Sequence, residues 1–410
     1  MNNNIDNKSS ILVVAYACEP NKTSEPGVGW NFTKELSLNH DITVLTRENN
    51  REVIETEPTD AREFVYYDLP NIFKILKKKM PLGTQLYYLM WQWGAYRHIK
   101  NNLSEKKIDM VHHLTFGVSW ISPPSFMLKK KFIWGPIGGG DLIPTSFMKE
   151  MSVKAMLQES LYYTLNKVSK YSIFSFLVRK DAKAIIFRTE SIRDVFPKCD
   201  TKILPVISET ASADLVTREK KVHNPALHAI CVGRMTYWKG FIYAVKGFHA
   251  YLEQGGKGKL ELLGNGPGFD EISAYVKEHG LEENIITRGF VDNDVVKSKL
   301  EEASLMLHPS FRDGGSWAIM EAMTYGLPVL CLDTSGPKDM VTDKCGLLMG
   351  LESPSQLITD IGKGLLELSN NPELYTTLSQ NAQTRIANEY TWEVRGKEMQ
   401  DIYKEVLNEA

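Results

Sequence analysis

Two carboxylates, Asp313 and Glu321, stand eight residues apart in the segment Phe311-Arg-Asp-Gly-Gly-Ser-Trp-Ala-Ile-Met-Glu-Ala-Met-Thr-Tyr-Gly-Leu-Pro-Val329. Gly314 and Gly315 follow the first of them, and an apolar helical pattern begins at Trp317 with Ser316 as a plausible N-cap. Gly326-Leu-Pro closes that helix and leads into the buried-looking strand Val329-Leu-Cys-Leu. A turn of this kind presents free backbone N–H groups and the positive end of a helix dipole to whatever docks there. Glycines permit close approach of a ligand, and each carboxylate can accept hydrogen bonds from a pair of hydroxyls. Phosphates together with sugar hydroxyls match that chemistry.

A second group of candidates lies in Val232-Gly-Arg-Met-Thr-Tyr-Trp-Lys-Gly240, where Arg234 and Lys239 share one strand-to-helix loop. Arg binds phosphate bidentately and Lys supplies a compact charge, so the pair suits a diphosphate and would stabilise one as a leaving group. The plain alternative is a surface loop with unrelated charges. Gly264-Asn-Gly266-Pro-Gly268 and Arg288-Gly289-Phe290 also end strands, where backbone groups could support a base or ribose; ordinary turn chemistry explains the former equally well. Pro26-Gly27-Val-Gly29-Trp30 lies at the first strand-to-helix junction. Its glycines either face a phosphate or allow tight helix–strand packing. The full G-x-G-x-x-G fingerprint is missing, which argues against a nicotinamide cofactor. His112 and His113 end another strand and must point to opposite faces, so at most one reaches a cleft. No acidic or cysteine partner stands near them at ligand spacing, and no metal site is expected.

The elements that must position these residues follow from apolar periodicity. A chain of 410 residues is too long for one ordinary core and suggests two domains of roughly 200 residues each. Short apolar runs at Ile11–Tyr16, Asp41–Thr46, Met110–Leu114, Phe132–Gly135 and Ala184–Arg188 alternate with helical stretches. The same alternation resumes at Leu227–Gly233, Leu260–Gly264, Ile285–Gly289, Leu305–Pro309 and Val329–Leu332. Both halves therefore read as doubly wound α/β domains with ligands at the carboxyl ends of their strands. The expected division is 1–206 for the first domain, 207–226 for a polar linker and 227–390 for the second. An amphipathic helix over about 391–410 closes the chain. Two such domains make an interdomain cleft, a favoured ligand site.

Composition narrows the function classes. Hydrophobic residues make up 43% and charged residues 24%, as in ordinary globular proteins. Five scattered cysteines without a C-x-x-C pair imply reduced, largely buried thiols and a cytoplasmic setting. The polar start Met-Asn-Asn-Asn-Ile-Asp lacks a signal-peptide apolar region, and no run is long enough to span a bilayer. The net charge of −2 conceals a strongly basic region between residues 68 and 180. Lysine clusters at 74–79 and 129–131 lie near the aromatic segments 86–96 and 171–176, so peripheral contact with an anionic membrane through residues 71–97 and 129–131 is weighed against an ordinary solvated face. No nucleic-acid-binding motif accompanies the charge.

Taken in order, Gly233-Arg-Met-Thr-Tyr-Trp-Lys-Gly240, Gly264-Asn-Gly-Pro, Asp313-x7-Glu321 and the tail Thr391-Trp-Glu resemble glycosyltransferase family four. The resemblance is strong over about residues 227–400 and continuous, though looser, before that. It implies the GT-B fold, two Rossmann-like domains facing a cleft, and a retaining enzyme that uses a nucleoside diphosphate sugar as substrate, with no cofactor and no metal. Arg234 and Lys239 would hold the donor diphosphate, with Gly27 and Gly29 facing it. Asp313 and the amides of Gly314, Gly315, Ser316 and Trp317 would hold the donor sugar, Glu321 the ribose, and the Gly266 and Arg288 loops the nucleoside. His112 or His113 would take the place of the family's cleft histidine. The closing helix would return to the first domain. The acceptor would be a saccharide or a lipid-linked one of cell-surface polysaccharide or glycolipid assembly, taken at the inner face of the membrane. Asp313 departs from the more usual Glu by one methylene, which points to a different donor sugar. Alternatives are a nucleotide-sugar epimerase or hydrolase of the same fold and a non-catalytic donor-binding scaffold subunit.

Overall fold

The computed structural model describes residues 8–79, 83–169, 171–199, 201, 203–212 and 221–409, with side chains 76–79 outside the description. The chain forms two compact units, 1–140 with 165–209 and 392–410, and 141–164 with 210–391. The first holds β1 (Ser10–Val14), β2 (Asp41–Thr46), β3 (Arg62–Tyr66), β4 (Met110–His113), β5 (Lys131–Ile137) and β6 (Ala184–Phe187). The second holds β7 (Ala226–Val232), β8 (Lys257–Leu263), β9 (Ile285–Gly289), β10 (Leu305–His308), β11 (Val329–Leu332) and β12 (Gly346–Met349). The sheet orders are β3-β2-β1-β4-β5-β6 and β12-β11-β10-β7-β8-β9, all parallel. Traced from its third strand, the second sheet repeats the order of the first. Central strands such as β1, β4, β10 and β11 are buried almost throughout, because helices cover both faces of a parallel sheet.

The doubly wound expectation is met in both halves. The apolar runs lead to ten of the strands, and the two they miss, β3 and β12, each lie on a sheet edge. Edge strands are half solvated: β3 carries Arg62 and Glu63, and β12 leaves Leu348 exposed. Their sequence therefore lacks the continuous apolar signature of the interior strands.

The compact units do not follow the expected boundaries throughout. Residues 141–164 interrupt the first domain in sequence but group with the second unit. Phe147 is their anchor, its ring 4.8 Å from Phe311 and 5.6 Å from Tyr243. Tyr243 donates to Glu150 at 3.1 Å, Tyr237 donates to Glu159 at 3.0 Å, and Arg312 pairs with the same Glu159. Amphipathic periodicity shows that this segment needs a core and does not say which one. The closing helix Trp392–Asn408 groups with the first unit, where Trp392 meets Phe32 edge-on at 5.5 Å and Gln400 donates to the Glu35 carbonyl at 2.9 Å. Of the expected linker, 207–209 fall in the first unit and 210–226 in the second, and 213–220 lie outside the described residues. All five cysteines are free, and all but Cys199 are buried.

Candidate functional site

In an open parallel sheet of this order, the strand-end loops diverge between the first and fourth strands and leave a crevice there. In the second unit that switch point lies between β7 and β10. The loops that leave these two strands carry Arg234 with Lys239 and Asp313. They are held together by backbone: Phe311 N–H donates to the Trp238 carbonyl at 2.9 Å. Gly240 closes the Tyr237–Lys239 turn at φ +66°, and a Cβ there would lie 2.0 Å from the Pro309 carbonyl oxygen. Only glycine allows both that conformation and that approach.

Within this frame both carboxylate oxygens of Asp313 are engaged. Its Oδ2 accepts from Lys239 Nζ at 2.7 Å and from His308 Nε2 at 2.7 Å, and its Oδ1 accepts from Ser316 N–H at 3.0 Å. Burial opposes the charge, but Lys239 and His308 outweigh it and hold the carboxyl well below the usual range. His308 is almost wholly buried, and burial lowers its own pKa. The imidazole is therefore neutral and gives its Nε2–H to Asp313. Ser316 occupies the N-cap position of the Trp317–Thr324 helix, as expected, but its hydroxyl does not cap the helix. It sits in the left-handed region at φ 48°, a strained state for a residue other than glycine. Its Oγ donates back to the Asp313 carbonyl at 3.0 Å, so Asp313 organises the turn through both its side chain and its backbone. Gly336 makes room for this loop, since a Cβ there would lie 2.4 Å from the Asp313 carbonyl oxygen.

Glu321, one turn into the helix, is half-buried, and no side chain among the described residues bonds to its carboxylate. Burial raises its pKa, and its carboxyl oxygens have acceptor capacity left for a ligand's hydroxyls. Arg234 is exposed and likewise has no partner among the described residues. It forms one wall of a cavity of about 410 Å³ with Val232, Gly233, Leu263, Gly264, Asn265 and Phe290. Gly264 brings two of these loops together, because a Cβ there would meet the Gly233 carbonyl oxygen at 1.8 Å. Gly266 bends the same loop close to the Met235 carbonyl. The Arg288 side chain is turned elsewhere: it pairs with Glu261, which Lys259 also engages at 2.8 Å and beside which His228 stands at 2.9 Å.

The first unit treats its candidates differently. Gly27 and Gly29 lie in the first turns of the Ser24–Ser37 helix instead of the loop before it. Their hydrogens are needed for packing, since a Cβ would lie 2.0 Å from the Lys22 carbonyl oxygen or 2.2 Å from that of Ala17. Both histidines are buried and bonded within their own unit. His112 Nε2 donates to the Gly135 carbonyl at 2.6 Å, so its Nδ1 accepts from Tyr403 O–H at 2.6 Å. His113 meets Tyr88 at 2.8 Å, and burial drives its pKa down to about 3. The geometry gives the two rings packing and hydrogen-bonding duties inside the sheet. At this unit's own switch point, between β1 and β4, stands a cluster the motifs did not reveal. Arg188 pairs with Glu25 and, at 2.9 Å, with Glu209, while Glu25 also accepts from Phe116 N–H at 2.9 Å. His308 was missed as well. Its position, as the last residue of a buried strand five before Asp313, was the available signal.

Residues 217–385 match the family model for glycosyl transferases group 1. Among curated relatives, the chain is 26% identical over 155 residues to the poly(glycerol-phosphate) alpha-glucosyltransferase of Bacillus subtilis, covering 38% of this chain and 22% of that one. It is 32% identical over 139 residues to the putative colanic acid biosynthesis glycosyltransferase WcaL of Escherichia coli, covering 32% and 34% respectively. The first curated relatives are thus matched over less than half of their own length. Among solved structures, TarM of S. aureus superposes with a TM-score of 0.63 at 14% identity, over 98% of this chain and all of that one. The two parallel six-stranded sheets and that superposition establish the GT-B fold. Over residues 217–385, somewhat less than half of its length, the chain is thus similar to the group 1 glycosyl transferases.

Proposed function

We propose that the protein transfers a sugar, with retention of anomeric configuration, from a nucleoside diphosphate sugar to an acceptor hydroxyl in cell-surface polysaccharide or glycolipid assembly. The observation that carries this reading is the arrangement at the β7/β10 switch point. An unpaired guanidinium, a lysine held by one carboxylate and a second, unpartnered carboxylate are gathered on backbone fixed by Gly240 and Gly264. Arg234 and Lys239 take the diphosphate, Asp313 and the Gly314–Trp317 turn take the sugar, and Glu321 takes the ribose. The TarM structure was solved with UDP, which makes uridine nucleotides the first donors to try. As the C1–oxygen bond to the diphosphate breaks, the two cations stabilise the charge that develops on the leaving oxygen. The acceptor oxygen forms the new bond on the same face and passes its proton to the departing diphosphate, so no protein nucleophile or metal is invoked. Positioning and charge stabilisation are what the protein contributes.

A peripheral membrane contact belongs to the same proposal. Ile72, Ile75, Leu86 and Leu89 are exposed, as are Tyr171, Ile173 and Phe176, and Trp93 meets Phe174 edge-on at 5.6 Å. The 129–131 cluster is less available: Lys129 pairs with Asp181, and Lys131 donates to the Leu407 carbonyl at 2.8 Å. The side chains of Lys77, Lys78 and Lys79 lie outside the described residues. Among the described residues no helix is long and apolar enough to cross a membrane.

The test is a panel of uridine, guanosine and adenosine diphosphate sugars scored for donor hydrolysis and for transfer to extracted glycolipid, with product anomers read by NMR. Release of a nucleoside diphosphate with a retained linkage is expected. A new nucleotide sugar formed without acceptor would mark an epimerase, and tight binding without turnover of any donor a scaffold. Sedimentation with vesicles of anionic phospholipid, compared with neutral ones, checks the membrane contact.

A further inference from the structure

Two charges of the site neutralise each other in this structure. Lys239, one of the two cations assigned to the diphosphate, already holds Asp313, the carboxylate assigned to the sugar, at 2.7 Å. A carboxylate offers about four lone-pair directions. Lys239 and His308 occupy both on Oδ2 and Ser316 N–H occupies one on Oδ1, which leaves a single direction for a hydroxyl. A bound sugar cannot be gripped bidentately while the lysine stays.

The three donors on Asp313 differ in what a diphosphate would do to them. Lys239 is a flexible, partly exposed cation, and a diphosphate with more than one negative charge competes for it directly. Ser316 N–H is fixed backbone. His308 is rigid, 3% exposed and neutral, so an anion exerts little pull on it and it has no room to leave. On the proposed function as its basis, we infer that donor binding hands Lys239 from Asp313 to the diphosphate, and that His308 is the positioning residue that keeps the Asp313 carboxylate aimed once the lysine has gone. Diphosphate binding thereby opens the sugar site, and the sugar is gripped only when the phosphates are in place. His308 acts through Asp313 and touches no reacting atom. Its neutral Nε2–H suits this duty better than a second cation, which the diphosphate would also attract.

The experiment uses the full chain and measures affinities for inorganic pyrophosphate, UDP and a panel of UDP-sugars by calorimetry, together with donor hydrolysis. His308→Phe removes the hydrogen bond and keeps a ring of similar size; His308→Gln keeps a side-chain N–H donor. For His308→Phe, affinity for pyrophosphate and UDP is expected to stay within about twofold of wild type. The extra affinity contributed by the sugar should fall about tenfold or more, and kcat with it. His308→Gln should recover most of both. Lys239→Met should weaken pyrophosphate, UDP and UDP-sugar together. The inference is overturned if His308→Phe leaves UDP-sugar affinity and kcat unchanged, or lowers UDP and UDP-sugar affinity alike, or if His308→Gln, folded as judged by its thermal transition, behaves no better than His308→Phe. A wild-type chain that binds neither pyrophosphate nor any nucleotide sugar of any base would remove the donor assignment itself. Ordinary donor binding combined with any of the overturning results would remove only the handover.

Discussion

The two sheets share one strand order, and each has its crevice at the same topological place, yet the chemistry installed there differs. At the β1/β4 point a half-buried arginine is clamped between two carboxylates, and Glu25 further bonds Phe116 N–H. Every charge there is met by a partner inside its own unit. At the β7/β10 point one cation and one carboxylate have no partner among the described residues, and a second cation is held by a single carboxylate that also receives a neutral histidine. Buried ion clusters whose charges are all met hold structure; charges left open are available to a ligand. One architecture therefore carries a closed cluster in the first unit and a loaded, incomplete one in the second.

The largest expected effect concerns the closed cluster. Arg188→Met strands two carboxylates, and urea denaturation followed by tryptophan fluorescence should show the first unit destabilised by about 3–5 kcal/mol. If nucleotide binding fell while stability held, the contrast would collapse. In the open cluster, Lys239→Ala should lower donor turnover by about 10² to 10³, equivalent to about 3–4 kcal/mol of transition-state stabilisation, with a smaller loss of stability than Arg188→Met because His308 and Ser316 N–H still hold Asp313. Turnover within a few-fold of wild type would show that the lysine is structural after all.

A pH titration of stability sharpens the difference within the second unit. Burial works against the charge of Glu261, but Arg288 and Lys259 hold its pKa down to about 2, against an ordinary 4.5. A depressed carboxylate stabilises the fold above its unfolded pKa and loses that contribution as pH falls from about 5 toward 2. The loss should amount to roughly 2–3 kcal/mol and be absent in Glu261→Gln. Glu321 has the opposite sign. Its raised pKa means that the fold prefers it protonated and loses stability as pH rises through the carboxylate range. Glu321→Gln should therefore leave stability at neutral pH equal or about 0.5–1 kcal/mol higher, while nucleotide affinity falls about tenfold. The smallest effect is expected at Tyr403→Phe, which removes the partner of His112 Nδ1. About 1 kcal/mol of stability should be lost with turnover intact, and a comparable drop in turnover would return that histidine to the active site.

Much of this was legible in the chain itself. The interior strands declare themselves because strands covered on both faces are continuous apolar runs, and Gly240, Gly264 and Gly266 mark where loops must approach backbone closely. Asp313, Glu321, Arg234 and Lys239 were visible because carboxylates and cations beside glycines at strand ends have few structural uses. Other features were hidden because they depend on partners distant in sequence. The Glu25–Arg188–Glu209 cluster joins residues from three separated segments. The side chain of Arg288 is claimed by a buried glutamate on the neighbouring strand, and the glycines at 27 and 29 serve packing inside a helix.

Sequence alone determined the two doubly wound halves and the residues able to meet a diphosphate and hydroxyls, since these follow from local periodicity and residue chemistry. Tertiary structure decided which core receives residues 141–164, that His112 and His113 are bonded away from solvent, and that His308 and Lys239 converge on Asp313. Burial and hydrogen-bond partnership arise only when distant segments meet, and they are what turn a charged residue into either a strut or a binding group.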